Sequence, residues 1–496
     1  MRKLLKILRE NWILVVILCI GLFLRAYKPL ELFAYNHDQD LAGWFIKDVL
    51  VNHHFRLVGQ ETSSKGIFIG PLFYYLQIPF YLIAGMDPAG ALALPVIIGV
   101  FAIFSCYFVL SKVFSKNAGL IGTLVYAVSY LVVFTGREVV PTMPAMLWSI
   151  WYFYCLWLIL KGNQKAYLLI GFLFGLIWNF NLALAILSPL VLVAQFFLKK
   201  RIDFKQLFIG LLIFIILMLP FFVFETRHNF QQVKALVSSF TTLKDYVPET
   251  GRGLVKLDRV LQLVHRNTTS LFLDSVTSIP IAYTFYLLII SFAVLCFKKI
   301  ISNSLAIIMF LWQILYLVFF TLNSINVSEY YLNGMNIIWI AIFAVSVSNL
   351  IKNKTLKYLG FALIIAVTLI SLLGFFKKDI NKSGYVERKA LVSYIAQDAK
   401  KHEYPCIAIS YITSPGNNMG YRYLFWREGL HVNSPDSGSP VYTIVYPLSM
   451  VYGVDKKFGV LGLVLPDYQR YTKEEIKVSC SGKDPNLTNP LFSLPN

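Results

Sequence analysis

The chain has 496 residues, of which 57% are hydrophobic and 14% charged, and its mean hydropathy is +0.63. These values exclude a soluble globular protein and point to a polytopic membrane protein. The formal net charge of +19 comes with no DNA- or RNA-binding motif, so the basic excess reads as a collar of Lys and Arg facing anionic lipid.

Apolar runs of about 17 to 25 residues, each long enough to cross a hydrocarbon core of roughly 30 Å as a helix, recur along the chain. The first, Asn11 to Leu24, follows Arg2, Lys3, Lys6 and Arg9 in the manner of a signal peptide, yet no small-residue cleavage site precedes the acidic loop beyond it. A retained signal anchor is expected. Spans are predicted near 11–29, 89–110, 118–135, 142–160, 166–180, 182–198, 206–224, 281–297, 303–322, 333–350 and 357–376.

A further apolar run, Ile67 to Gly85, tests the topology. If it does not cross, Lys112, Lys116, Lys161, Lys165, Lys199 to Arg201, Lys205, Lys298, Lys299, Lys352, Lys354 and Lys357 all fall in cytoplasmic loops, as the positive-inside rule requires. If it crosses, the N-terminal cluster contradicts every later basic loop. The run GPLFYYLQIPFY is therefore expected to lie on or dip into the outer leaflet as a juxtamembrane helix, with Tyr74, Tyr75 and Tyr81 at headgroup level.

The expected fold class is thus an all-α polytopic membrane protein of about 11 transmembrane helices plus a juxtamembrane helix, with a small exterior C-terminal α/β domain. Residues 1–376 form the transmembrane unit, with a cytoplasmic N-terminus and exterior loops at about 30–88 and 225–280, and residues 377–496 form the exterior domain. In that tail, Val386 to His402 reads as an amphipathic helix, and Cys406 to Tyr411, Val441 to Tyr446 and Val460 to Leu465 read as strands. Cys406 and Cys480 both lie there, and a disulfide between them stays open. Cys19, Cys106, Cys155 and Cys296 sit in spans and read as packing residues.

Charge near hydrocarbon needs a reason, and four clusters have one. Tyr35 to Asp40, reading YNHDQD, places Asp38 and Asp40 just past the first span. Two residues apart, they point the same way in an extended loop and diverge by roughly 200° on a helix. One carboxylate can act as general base toward an acceptor hydroxyl, with the other as helper or metal ligand; the plain alternative is a helix cap in a solvated loop. Arg137 and Glu138 are the charged pair between the third and fourth spans, with Arg137 suited to bidentate phosphate binding or to snorkelling at the interface. Glu225, Arg227 and His228 follow the span ending near 224, and Lys65 precedes the juxtamembrane run. All four clusters fall on the exterior face.

Several stretches carry a family likeness: YNHDQDLAGWFIKDVL after the first span, GIFIGPLFYYLQIPFYLIAG, GREVVPTMPAMLW, FLFGLIWNFNLALAILSPL and LPFFVFETRHNF. In these the chain resembles the GT-C superfamily of integral membrane glycosyltransferases, in the branch of protein O-mannosyltransferases, aminoarabinose transferases and RgtA/B/C/D-like enzymes. The resemblance covers residues 10 to 235 well, the later spans in topology and the tail loosely. It implies that Asp38 is the catalytic carboxylate and that a sugar arrives on a polyprenyl phosphate. Where many members have Glu next, this chain has Gln39, with Asp40 as the candidate replacement.

The resulting expectation is a plasma-membrane glycosyltransferase that transfers a sugar from a polyprenyl-phosphate donor to an acceptor hydroxyl on a lipid, glycan or protein by inverting displacement. Asp38 and Asp40 are the catalytic candidates, and Lys65, Arg137, Glu138, Arg227 and His228 are the substrate-binding ones. No cofactor is assigned; a divalent cation stays open, although the few exterior carboxylates argue against a dedicated metal site. The rival readings are a flippase or transporter, which would carry charge at mid-span, and a non-catalytic membrane scaffold.

Overall fold

A computed structural model of the chain describes residues 11–62, 65–198, 202–241, 253–273, 281–323, 327–380, 382–414, 416–451, 453–483 and 485–488. The basic residues Arg2, Lys3, Lys6 and Arg9, the run Lys199 to Arg201, and parts of the 225–280 loop lie outside the described residues.

Every predicted span is occupied by an apolar helix, whole or broken. Among the described residues four helices are long and apolar enough to cross a membrane: Pro88–Val113, Asn303–Leu322, Glu329–Lys352 and Lys357–Lys377. A fifth crossing results if Phe204–Leu217 and Leu219–Arg227, bent by 55°, are taken as one. The bend falls where Pro220 starts the second helix and cannot donate to the preceding turn. Ser129 interrupts the predicted 118–135 span with a non-helical residue between Lys116–Val128 and Tyr130–Thr135. The shorter apolar helices include Trp12–Ala26, Ala145–Leu160 and Ala166–Phe180, so eleven crossings stay an expectation.

The juxtamembrane run becomes a helix over Leu72–Ile83, only 12 residues long with Pro79 inside it. At 1.5 Å per residue it reaches about 18 Å, well short of a roughly 30 Å core. Within the bundle, the 166–180 and 204–217 helices touch backbone to backbone: a Cβ added at Gly171 would collide with the carbonyl of Gly210. Glycine at both positions lets the helices come this close, which in lipid maximises van der Waals contact.

The tail forms a five-stranded sheet in the order β2-β1-β3-β5-β4, with β1 Ile407–Thr413, β2 Val432–Asn433, β3 Val441–Tyr446, β4 Lys456–Phe458 and β5 Leu461–Val464. β1 pairs in parallel with β2 and β3, while β5 runs antiparallel to β3 and β4. Helix Tyr385–Lys401 packs on this sheet, and Cys406 and Cys480 form a disulfide with their Cα atoms 5.5 Å apart.

The tail does not hang free of the bundle. One hydrophobic cluster contains Leu41, Trp44, Phe45 and Tyr74 from the membrane-side helices together with Leu391, Ile407, Tyr423 and Ile444 from the tail. Asp87 fastens the same junction. Its carboxylate meets Lys389 Nζ at 2.8 Å and Arg427 Nη1 at 2.7 Å, accepts from the Tyr385 hydroxyl, and caps the turn at Ala89 N. Burial beside these partners leaves Asp87 below the usual carboxylate range, because the hydrogen bonds from Lys389, Tyr385 and Ala89 and the charge of Arg427 together outweigh desolvation.

Asp87→Ala strands two cations at a half-buried junction. It should destabilise the folded protein by about 2 kcal/mol and make the tail more sensitive to protease in detergent. Unchanged thermal unfolding and unchanged tail cleavage would rule out this anchoring role.

Candidate active site

The YNHDQD stretch folds as the start of a helix, His37–Leu50. Asn36 caps it: its side chain accepts from Asp38 N at 3.1 Å, and Gln39 Oε1 accepts from Asn36 N at 3.0 Å. This reciprocal capping box fixes the first turn, and on a helix Asp38, Gln39 and Asp40 face three different ways. Gln39 and Asp40 are buried, at 4% and 3% exposure, while Asp38 is half-buried.

Each of the three has a separate partner. Asp38 Oδ1 accepts from Gln60 Nε2 at 2.9 Å. Gln39 Nε2 donates to the carbonyl of Val139 at 3.3 Å and so ties the helix start to the 136–144 loop. Asp40 Oδ1 accepts from the Tyr35 hydroxyl at 3.1 Å and from Tyr423 N, in the tail helix Arg422–Arg427, at 3.0 Å. Burial pushes the Asp40 carboxyl up to about 6, with both hydrogen bonds pulling it back. Gly43, one turn on, lies so close to the Tyr423 ring that a Cβ there would sit 2.7 Å from it.

The loop held by Gln39 carries Arg137 and Glu138. Arg137 donates from Nη1 to Leu24 O at 2.6 Å, and from Nη2 to Tyr27 O at 2.7 Å and Lys28 O at 3.3 Å. These carbonyls end the 12–26 helix, so the guanidinium supplies the C-terminal cap that the helix lacks. Burial and then the charge of Arg25 bring Arg137 down to about 10, leaving it protonated at neutral pH. Glu138 follows in the same loop, near enough to Asp38 for the two carboxyls to feel each other's charge. Desolvation there, followed by the Asp38 charge, pushes its carboxyl up to about 7.

Gln60 belongs to a short hairpin. Gly59 N bonds to Ile69 O at 2.7 Å, Thr62 N to Ile67 O at 2.7 Å, and Glu61 bridges to Phe68. Trp178 Nε1 donates to Phe68 O at 2.9 Å, and Asn179 Oδ1 accepts from Leu72 N at 3.2 Å, which docks the hairpin on the end of the 166–180 helix. On the other side Gln232 Oε1 accepts from Phe68 N at 2.8 Å. The buried Glu225 carboxylate accepts from Gln232 N and Val233 N, at 3.2 and 3.1 Å, capping the start of helix Gln231–Thr241.

This arrangement brings Lys65 and Arg227 to neighbouring elements: Lys65 is exposed at the hairpin tip, whose Gly66 abuts Ala235, and Arg227 is exposed just ahead of the helix that Glu225 caps. His228 Nδ1 lies 2.8 Å from Phe224 O, with its ring stacked on Phe224 at 4.0 Å. Thr62 and Ile67 of the hairpin line a cavity of about 590 Å³ whose other walls include Leu182, Ile186, Leu315 and Phe319. The hairpin therefore joins the Asp38 carboxylate to a largely apolar cavity.

Of the seven site candidates from the sequence, Asp38 and Glu138 lie near enough for their charges to interact, and Lys65, Arg227 and His228 lie on the hairpin and the segment next to it. Asp40 and Arg137 are committed to protein partners. Sequence reasoning did not single out Gln60, Asp87, Tyr423 or Arg422. Arg422 lies close enough to Asp40 and His37 to draw down the pKa of each. Among the described residues no cluster of three or more His, Cys, Asp or Glu side chains could hold a metal ion.

Residues 69–224 match the family described as dolichyl-phosphate-mannose-protein mannosyltransferase. No curated protein sequence matches the chain significantly. Among solved structures, ArnT from Cupriavidus metallidurans bound to undecaprenyl phosphate aligns with a TM-score of 0.63 at 12% identity, over 92% of this chain and 98% of that one. The same protein in the apo state gives 0.62 at 11% identity, over 94% and 99%. The oligosaccharyltransferase of Archaeoglobus fulgidus tethered to an acceptor peptide gives 0.50 at 13% identity, over 84% of this chain and 63% of that one. The solved structures carry the fold, which the chain shares with ArnT along nearly its whole length, and within that fold residues 69–224 are similar to the mannosyltransferase family.

Proposed function

We propose that this enzyme moves a sugar from a polyprenyl-phosphate donor to an acceptor hydroxyl on the exterior face of the plasma membrane, by a single inverting displacement with Asp38 as the base. The observation that carries this reading is the hairpin, which holds the half-buried Asp38 carboxylate through Gln60 and lines an apolar cavity with Thr62 and Ile67. A lipid-borne donor needs both: a place for the isoprenoid chain and a proton acceptor at its polar end. The likeness to a structure bound to undecaprenyl phosphate supports the same donor class, and the tail disulfide supports an oxidising, exterior compartment.

In this mechanism Asp38 takes the acceptor proton as the acceptor oxygen attacks the anomeric carbon, and the bond from that carbon to the phosphate oxygen breaks. The departing polyprenyl phosphate gains negative charge, which Lys65 and Arg227, with His228 beside them, stabilise from the cavity mouth. Gln60 orients the Asp38 carboxylate. Arg137 works through the backbone it caps, holding Glu138 and the 136–144 loop in place. Asp40 positions the helix start against the tail. The sugar and the acceptor class, whether lipid, glycan or protein, are set by the loops around Asp38.

Asp38→Asn should lower transfer of labelled sugar from polyprenyl phosphate by about a hundredfold or more with expression and insertion intact. Asp40→Asn keeps an oxygen for Tyr35 and Tyr423 and should stay within about fivefold of wild type. Near-normal transfer by the Asp38 variant, or equal loss in both, would remove Asp38 from this role.

The raised carboxyl of Glu138 makes the folded protein bind that proton more tightly than the unfolded chain does. Its contribution to stability is therefore greatest below its unfolded value and declines as pH rises through about 7. Glu138→Gln should gain thermal stability relative to wild type as pH is raised from about 5 to 8. A difference between the two proteins that does not change with pH would contradict this placement of Glu138.

A further inference from the structure

At the opposite end of the bundle lies a second cavity, of about 520 Å³. The helix Ala93–Val113 runs from beside Asp87 to this cavity, so about 30 Å separate it from the candidate active site. Its walls are amphipathic: Val113, Trp157, Ile301 and Val345 on one part, Ser302, Ser348, Lys161 and Lys352 on another. Among the described residues no carboxylate lines it.

Three features of this cavity favour an anion. Two helices of ordinary length begin at it, Lys116–Val128 behind Ser115 and Asn303–Leu322 behind Ser302, so both present their positive ends. The Ser115 hydroxyl already accepts from Ala118 N at 3.2 Å, whereas Ser302 makes no side-chain cap, leaving the first N–H groups of its helix for another acceptor. Lys161 and Lys352 are exposed at the rim and form no ion pair among the described residues.

The independent sign of a ligand is Ser348. Its side chain is 2% exposed, lines the cavity, and has no hydrogen-bond partner for its hydroxyl among the described residues. An unpartnered buried hydroxyl costs free energy unless something else satisfies it. Lys352 also suits the C-terminal dipole of its own helix, but Ser348 has no comparable second duty.

We infer that this cavity binds a phosphate group, held by the Asn303–Leu322 helix start, Ser348, Lys161 and Lys352, with the apolar wall covering whatever the phosphate carries. The same chemistry fits the headgroup of an anionic phospholipid and a free phosphate, and the test separates them.

The purified full chain in detergent is offered inorganic phosphate in one arm and phosphatidylglycerol in another, with phosphatidylcholine for comparison. Binding is read by thermal shift and by lipid retention in native mass spectrometry. Phosphatidylglycerol retained over phosphatidylcholine, with no response to phosphate, identifies a headgroup site; a saturable response to phosphate identifies a soluble ligand. In either case Lys161→Ala with Lys352→Ala should weaken binding by about tenfold or more, and Ser348→Ala by about threefold or more. Lys298→Ala with Lys299→Ala, basic residues that precede Ile300 in the same loop but do not line the cavity, should leave it unchanged. Absence of binding in both arms, or an equal loss from the Lys298 and Lys299 control, would overturn the inference. Neither readout depends on sugar transfer, so the result is independent of the proposed function.

Discussion

The first turn of the 37–50 helix is the constraint on which the site depends. Three successive side chains leave it in different directions, and each is held by a different part of the chain: Asp38 by the hairpin at Gln60, Gln39 by the loop at Val139, and Asp40 by the tail at Tyr423. The capping box keeps this turn helical and so keeps the three directions distinct. If the turn unwound, the two acids would swing together and the loop and tail would lose their shared reference point. Under the proposed function, preorganisation of this kind would let a single carboxylate serve as a base without moving.

The tail accordingly packs against the candidate site and helps to fix it. Its core is continuous with the juxtamembrane helices, and the two carboxylates that fasten it, Asp40 and Asp87, both come from the membrane side of the junction. Carboxylates so near hydrocarbon are costly unless fully hydrogen-bonded. Asp87 meets this condition with two cations and a hydroxyl, Asp40 with a hydroxyl and a backbone N–H. Asp38, half-buried with one side-chain amide partner among the described residues, keeps oxygen capacity for a further donor.

Much of this was legible in the sequence. The strand Val441 to Tyr446 and the helix beginning near Val386 follow directly from local periodicity, as do the apolar helices at every predicted span. The acidic loop stood out because charge at a membrane exit is rare. The roles within it did not, because its partners are distant: Asp40 bonds to a residue 383 positions away and Gln39 to one 100 positions away. Arg137 illustrates the same limit, since a guanidinium spaced for phosphate looks no different in sequence from one that caps the end of a helix 110 residues earlier. The break at Ser129 and the 55° bend before Pro220 were hidden inside runs whose hydropathy is uniform.

The central claim is a single displacement on a lipid-borne sugar, and the most direct test is the stereochemistry of the product. The purified chain is given a polyprenyl-phosphate sugar of defined anomeric configuration and its acceptor, and the glycoside formed is examined by NMR. The account predicts consumption of the donor, release of polyprenyl phosphate and an inverted anomeric centre. Retention of configuration, or transfer from a soluble nucleotide sugar with the polyprenyl donor untouched, would contradict it.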